Sequence, residues 1–238
     1  MDFSNKWANS EEAKIHYLQS TNYNKLLTPL VYVPGALNYA EQSTDLLREL
    51  EPRGIISMSL RGRGNSESPA SGYSFEHHVK DIHSVILQSK VREYCLMSYS
   101  MGVPYSIKFA SSHSDIKGLI ICDYPAKYPA IPKAWSERIL SRSYIKKEMK
   151  HVVEGIQKES KPIDLYGELS TINVPVLIIK GGTEGSLLKD SEAERYRENL
   201  QNVEVVELMD SGHELWEPNK DDFLQIIKGF LRKLDSFH

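Results

Sequence analysis

Cysteine is scarce in this chain: two residues among 238, Cys95 and Cys122, both inside apolar runs. No disulfide framework is available, and the pair reads as reduced core thiols, the usage of a cytoplasmic protein. Charge of one sign is lacking too. The 29 Lys and Arg oppose 32 Asp and Glu for a net charge of −3, which leaves nucleic-acid binding without its basic face. No apolar run approaches the roughly 20 residues that span a bilayer. Met1-Asp2-Phe3-Ser4-Asn5-Lys6 has no basic stretch followed by an apolar one, so no secretion signal is expected. There is no H-E-x-x-H, no paired C-x-x-C, and no G-x-G-x-x-G after a strand. His77 and His78 are adjacent and diverge by about 100° on a helix, a poor geometry for a shared metal. The expected protein binds no metal and needs no cofactor.

What is present is an alternation of strand-like and helix-like segments. At 238 residues and 40% hydrophobic, the chain can bury a sizeable core and reads as a single α/β domain, 1–238. The alternation implies a mostly parallel central sheet with helices on both faces. The most informative stretch is Ser98-Tyr99-Ser100-Met101-Gly102. It follows an apolar strand, Tyr94-Cys95-Leu96-Met97, and precedes a helical segment, Val103 to Ala110. A serine on a sharp strand-to-helix turn among small residues has its hydroxyl pushed out of the sheet toward substrate. The helix behind it aims backbone N–H groups at any developing negative charge.

Two further loops carry chemistry. Val174-Pro175-Val176-Leu177-Ile178-Ile179-Lys180 reads as a buried parallel strand that breaks into Gly181-Gly182-Thr183-Glu184, leaving a carboxylate at its C-terminal end. Val203 to Leu208 alternates like a strand, and Met209-Asp210-Ser211-Gly212-His213 follows it. His213 is thereby offered on a loop from which an imidazole can reach a serine.

Serine, then acid, then histidine is the chain order of the α/β-hydrolase triad, and from about Tyr17 to the C-terminus the chain resembles that family. Leu30-Val31-Tyr32-Val33-Pro34-Gly35-Ala36 looks like its oxyanion loop, with Pro34 in place of histidine. Ser59-Leu60-Arg61-Gly62-Arg63-Gly64-Asn65-Ser66 looks like its D-x-R-G-x-G-x-S turn, with Ser59 in place of aspartate. Ser98 stands where the elbow's first glycine is expected. The resemblance implies an α/β-hydrolase fold with a small helical cap inserted over about 124–170, bearing helices near 135–140 and 144–156. It implies Ser100 as nucleophile, His213 as base and Glu184 as orienting acid, with the N–H groups of Ala36 and Met101 as oxyanion donors. Asp123, at the end of the strand after the elbow, is the rival acid. The expected reaction is hydrolysis of an ester, thioester or related acyl bond of a small-molecule substrate. A C–C-bond-cleaving enzyme and a slow-turnover ligand-binding protein on the same scaffold are the alternatives. The Arg61/Arg63 pair reads as part of a glycine-rich turn, with phosphate binding as the competing reading. The basic side chains of the cap (Lys127, Lys133, Arg138, Arg142, Lys146, Lys147, Lys150) read as a solvated face, or as an anionic-substrate preference.

Overall fold

A computed structural model describes residues 2–143 and 147–236. Its centre is an eight-stranded sheet. Two strands form an N-terminal hairpin, β1 (Phe3–Ser10) and β2 (Ala13–Ser20), and the others are β3 (Leu30–Val33), β4 (Ile55–Met58), β5 (Tyr94–Tyr99), β6 (Ile116–Cys122), β9 (Val176–Gly181) and β10 (Val203–Leu208). The spatial order is β1-β2-β4-β3-β5-β6-β9-β10. The pairings β1/β2 and β2/β4 are antiparallel and the rest parallel. The hairpin was not among the sequence expectations. Asn5, Lys6 and Trp7 are exposed, so β1 lacks the apolar alternation that marks a half-buried strand.

The inner parallel strands β3, β4, β5, β6 and β9 are buried along both faces because helices cover both. Cys95, Met97 and Tyr99 of β5 pack with α1 (Thr44–Arg48) and α7 (Lys220–Asp235). Tyr94 and Leu96 face the other way, toward α2 (Phe75–Ser89), α3 (Gly102–Ala110) and α6 (Asp190–Asn199). Helix α7 starts at Asn219, whose side chain accepts from the N–H groups of Asp221 and Asp222, and it buries Phe223, Leu224, Ile227, Phe230, Leu231 and Leu234. Cys95 and Cys122 are buried and free.

Between β6 and β9 the chain leaves the sheet. This excursion contains a two-stranded ribbon, β7 (Lys127–Tyr128) with β8 (Ile163–Asp164), and helices α4 (Lys133–Leu140) and α5 (Lys150–Glu159). The first helix covers the expected 135–140, whereas the second runs over Lys150–Glu159 and not over 144–156, of which 144–146 lie outside the described residues. Of the basic side chains of this excursion, Lys127, Lys133 and Lys150 lie close to Glu192, Glu137 and Glu154. Strand order reverses between the β3–β4 side and β5, which opens a crevice at the carboxyl ends of β3 and β5, where ligands bind in open α/β sheets.

Candidate active site

Three loops meet at that crevice. Ser100 follows β5 directly and adopts φ +54°, the left-handed turn that lets the chain reverse into α3. The turn is fixed by Ser100 N–H donating to Cys122 O (3.1 Å) and Val103 N–H donating to Ser100 O (2.9 Å). Gly102 is required by space: a Cβ there would lie 2.5 Å from Pro34 O and 2.8 Å from Val33 O. Ser98 is tolerated in the elbow's first position because it is buried and its hydroxyl is directed at Ile120 O (3.4 Å).

Gly35, after β3, is pressed against the elbow. A Cβ there would lie 3.1 Å from Ser100 Cβ and 3.3 Å from Tyr99 Cδ1. The adjoining Ala36 carbonyl accepts from Arg63 Nε at 2.8 Å. The Arg61–Arg63 turn is therefore wired to this loop, while its glycines supply left-handed backbone at Gly62 (φ +76°) and Gly64 (φ +53°).

His213, in the loop after β10, reaches both partners. Its Nε2 is 2.9 Å from Ser100 Oγ, and its Nδ1 is 2.8 Å from Asp123 Oδ2. The ring stacks on Tyr99 at a centroid distance of 4.8 Å, and Tyr99 in turn contacts Trp216 at 5.1 Å. Gly181 admits this loop: a Cβ there would lie 2.3 Å from Gly212 O.

The structure does not bring Glu184 to the histidine; the carboxylate on Nδ1 is that of Asp123. Strand β6 lies next to β5, so its end already delivers a carboxylate to the imidazole. Asp123 is fully buried and, like Ser100, sits in left-handed backbone, with φ +48°. Gly181 and Gly182 serve close approach to the 209–212 loop and do not extend the reach of Glu184, which is exposed. The segment after Glu184 instead turns back onto Asp123. Ser186 Oγ (2.5 Å), Gly181 N–H (3.2 Å) and Leu188 N–H (3.4 Å) donate to Oδ1, and Leu187 N–H (2.9 Å) donates to Oδ2. Burial opposes ionisation of Asp123. The hydrogen bonds from His213, Ser186, Leu187 and Gly181 outweigh it and hold the carboxyl below its ordinary range. Sequence reasoning missed Ser186 and Leu187, for which no local motif exists.

A cavity of about 250 Å³ opens beside Tyr99 and Trp216, walled by Tyr32, Pro34, Tyr39 and Leu46. Among the described residues, no group of three or more His, Cys, Asp or Glu side chains converges as metal ligands. Nor is any helix there long and apolar enough to cross a membrane.

Sheet order and flanking helices are those of the α/β-hydrolase fold. No family model matches the sequence. It is similar to the AB hydrolase superfamily protein YisY of Bacillus subtilis (strain 168), at 23% identity over 90% of this chain and 98% of the relative. Among solved structures, it superposes on the esterase EaEST of Exiguobacterium antarcticum with a TM-score of 0.80, at 18% identity over 96% of this chain and all of that one. A haloalkane dehalogenase variant, DbeA-M1 of Bradyrhizobium elkanii, gives a TM-score of 0.76 at 15% identity, over 99% of this chain and 98% of that one. One fold thus carries different chemistries, and function has to be argued from the site.

Proposed function

We propose that this protein is a serine hydrolase that cleaves an ester, thioester or related acyl bond of a small molecule through an acyl-enzyme, with Ser100, His213 and Asp123 as its triad. The observation that carries this reading is the continuous relay from Ser100 Oγ to His213 Nε2 (2.9 Å) and from His213 Nδ1 to Asp123 Oδ2 (2.8 Å). Asp123 replaces Glu184 as the orienting acid.

A serine hydroxyl is a weak nucleophile near neutral pH and needs a base within hydrogen-bond reach. With Nδ1–H donated to the ionised Asp123, His213 is held in the tautomer whose Nε2 lone pair accepts the Ser100 proton during attack. The same nitrogen then protonates the leaving alcohol or thiol. Water, deprotonated in its turn by His213, hydrolyses the acyl-enzyme. The tetrahedral oxyanion of each step takes hydrogen bonds from the Met101 and Ala36 N–H groups. Met101 caps the N-terminus of α3, where backbone donors have no intrahelical acceptor, and the contact of Gly35 with Ser100 brings Ala36 alongside. One such donor contributes roughly 3–4 kcal/mol to the transition state. The excursion between β6 and β9 is assigned the role of cap.

The test is covalent labelling by a fluorophosphonate probe together with turnover of simple 4-nitrophenyl esters. Labelling and turnover are expected in the parent and absent from Ser100→Ala. A labelled protein without turnover on esters would favour a ligand-holding role, and no labelling at all would remove Ser100 as nucleophile.

A further inference from the structure

The cavity beside Tyr99 lies where an open α/β sheet receives its ligand. Tyr32 in β3, Pro34 just after that strand and Tyr99 at the end of β5 line it from the sheet. The connection from β3 into α1 lines it through Tyr39 and Leu46, and the segment after the histidine loop through Trp216. Among the described residues, none of its lining comes from the excursion between β6 and β9. At about 250 Å³ it is larger than the roughly 150 Å³ engineered cavity that takes up benzene, so a single ring with a short linker fits.

This lining meets the reacting groups at two places. The Tyr99 ring stacks on His213 with 24° between the planes, and Trp216, three residues past the histidine, lies 5.1 Å from Tyr99. At Gly35, the point where a Cβ would stand is 3.0 Å from Asn38 Oδ1, 3.3 Å from Tyr99 Cδ1 and 3.1 Å from Ser100 Cβ. Two residues of the cavity, Asn38 and Tyr99, therefore close on the same glycine as the side chain of Ser100.

The chemistry of the lining is aromatic and neutral. Its two charged side chains are already paired, Lys220 with Glu49 at 3.1 Å and Asp45 with Arg48 at 3.1 Å. Asn38 Nδ2 donates to Gln42 Oε1 at 3.0 Å, so these amides satisfy each other. What is left to a ligand is the surface of Tyr32, Tyr39, Tyr99 and Trp216, and aromatic side chains favour offset or edge contacts with another ring. Trp216 is braced from behind by Phe223 of α7, which is fully buried, so this wall is preformed. His213 Nε2 hands its proton to the departing atom, so the leaving group is the part of the substrate that lies against the histidine. Tyr99 and Trp216 put the cavity on that side.

We propose that this cavity is a leaving-group subsite that takes a neutral aromatic ring. The inference rests on the serine-hydrolase reading and adds a substrate class to it: aryl and arylmethyl esters or thioesters.

The experiment has two arms. The first measures kcat/KM for benzyl acetate against ethyl acetate, and for methyl phenylacetate against methyl acetate. The parent is expected to favour benzyl acetate about tenfold or more, the discrimination that filling an apolar pocket supplies. The second pair, with its ring on the acyl side, is expected to show no such preference. Leu46→Trp, which fills the cavity, and Trp216→Ala, which removes one of its rings, are each expected to abolish most of the benzyl preference. The ratio is the readout because the same two esters are compared in every variant, so their intrinsic reactivities cancel. A fall in either variant supports the subsite. A parent without the preference, a ratio unchanged in both variants, or a ring favoured on the acyl side overturns it while leaving the serine hydrolase intact. In the second arm, benzyl alcohol is titrated into Ser100→Ala and the indole N–H resonances are followed by NMR. The chain has three tryptophans, and the Trp216 signal is the one that Trp216→Phe removes. A saturable shift of that signal, absent with ethanol and lost when Leu46→Trp is added, supports the subsite. No shift, an equal shift with ethanol, or a shift that Leu46→Trp leaves intact overturns it. This arm decides whether the cavity takes a ring even if no ester is turned over, an outcome that sinks the hydrolase reading alone. If Leu46→Trp fails to fold, Trp216→Ala carries the first arm and the ethanol comparison the second.

Discussion

The identity of the acid turns on single side chains. Asp123 follows β6 directly and Glu184 stands in the loop after β9, and both precede the histidine in the chain. The structure separates them by burial and partners: Asp123 accepts from four groups besides His213, whereas Glu184 is exposed. Asp123→Asn is expected to favour the wrong imidazole tautomer and lower kcat by on the order of 10⁴-fold, by analogy with the same change in a serine protease triad. Glu184→Gln is expected to stay within about twofold, as surface substitutions away from the chemistry do. Steady-state kinetics of both variants on one good ester checks this, and a crippled Glu184→Gln enzyme would reverse the assignment. The sequence offered both acids and its loop reading put Glu184 ahead of Asp123, whereas it is Asp123 that meets the imidazole. What ranks them is which strand neighbours β5 and a left-handed φ at Asp123, and neither is written in local sequence.

Whole elements were more legible than single contacts. Strand β5, helix α3 and the His213 loop lie where apolar periodicity and glycine turns place them, since both faces of β5 had to be buried. The β1–β2 hairpin escaped because its outer strand is polar, and the β7–β8 ribbon because two-residue strands have no period to read. The packing of α3 on β3 depends on Gly102. Its replacement by alanine forces a methyl into the Pro34 and Val33 carbonyls, which belong to backbone and cannot swing aside. Gly102→Ala is expected to destabilise the protein by about 1–3 kcal/mol. It should also lower kcat, because the same displacement moves the elbow away from the oxyanion loop. Urea denaturation and ester kinetics on one variant test both. A stable, fully active Gly102→Ala protein would mean that the helix and strand have freedom the structure does not display.

At the scale of the whole molecule, one ion pair ties the chain's end to its first third. Arg53 Nη1 and Nη2 contact Asp235 at 2.9 and 2.6 Å, Asp235 accepts from Thr28 N–H at 2.8 Å, and Arg53 also donates to the Thr28 carbonyl. Helix α7 is thereby fastened across the sheet to the entry of β3. Burial opposes ionisation of Asp235, but the bonds from Arg53 and Thr28 outweigh it and hold its carboxyl below the ordinary range. Its folded pKa lies below its unfolded one. The stabilisation is therefore complete above the ordinary carboxylate value of about 3.9 and is lost as pH falls through the folded value. Asp235→Asn is expected to cost about 2–4 kcal/mol near neutral pH, because it strands a mostly buried guanidinium. The deficit relative to the parent should shrink in acid, while kcat near neutral pH is unaffected. Denaturation series at neutral and acidic pH check the sign, and a deficit that grows in acid would contradict it.

The carboxylate that orients His213 is also the cement of its own surroundings. Leu187 N–H and Ser186 Oγ have Asp123 as their acceptor, so the 181–188 loop is organised around the same carboxylate that faces His213. The backbone amide of Leu187 is consequently a resident gauge of the Asp123 carboxylate, readable without any ligand. Its hydrogen exchange should be slow in the parent and in Ser100→Ala, where the acceptor persists. It should be faster in Asp123→Ala, where it does not. The integrity of the Asp123–His213 pairing can thus be followed by an isotope label alone.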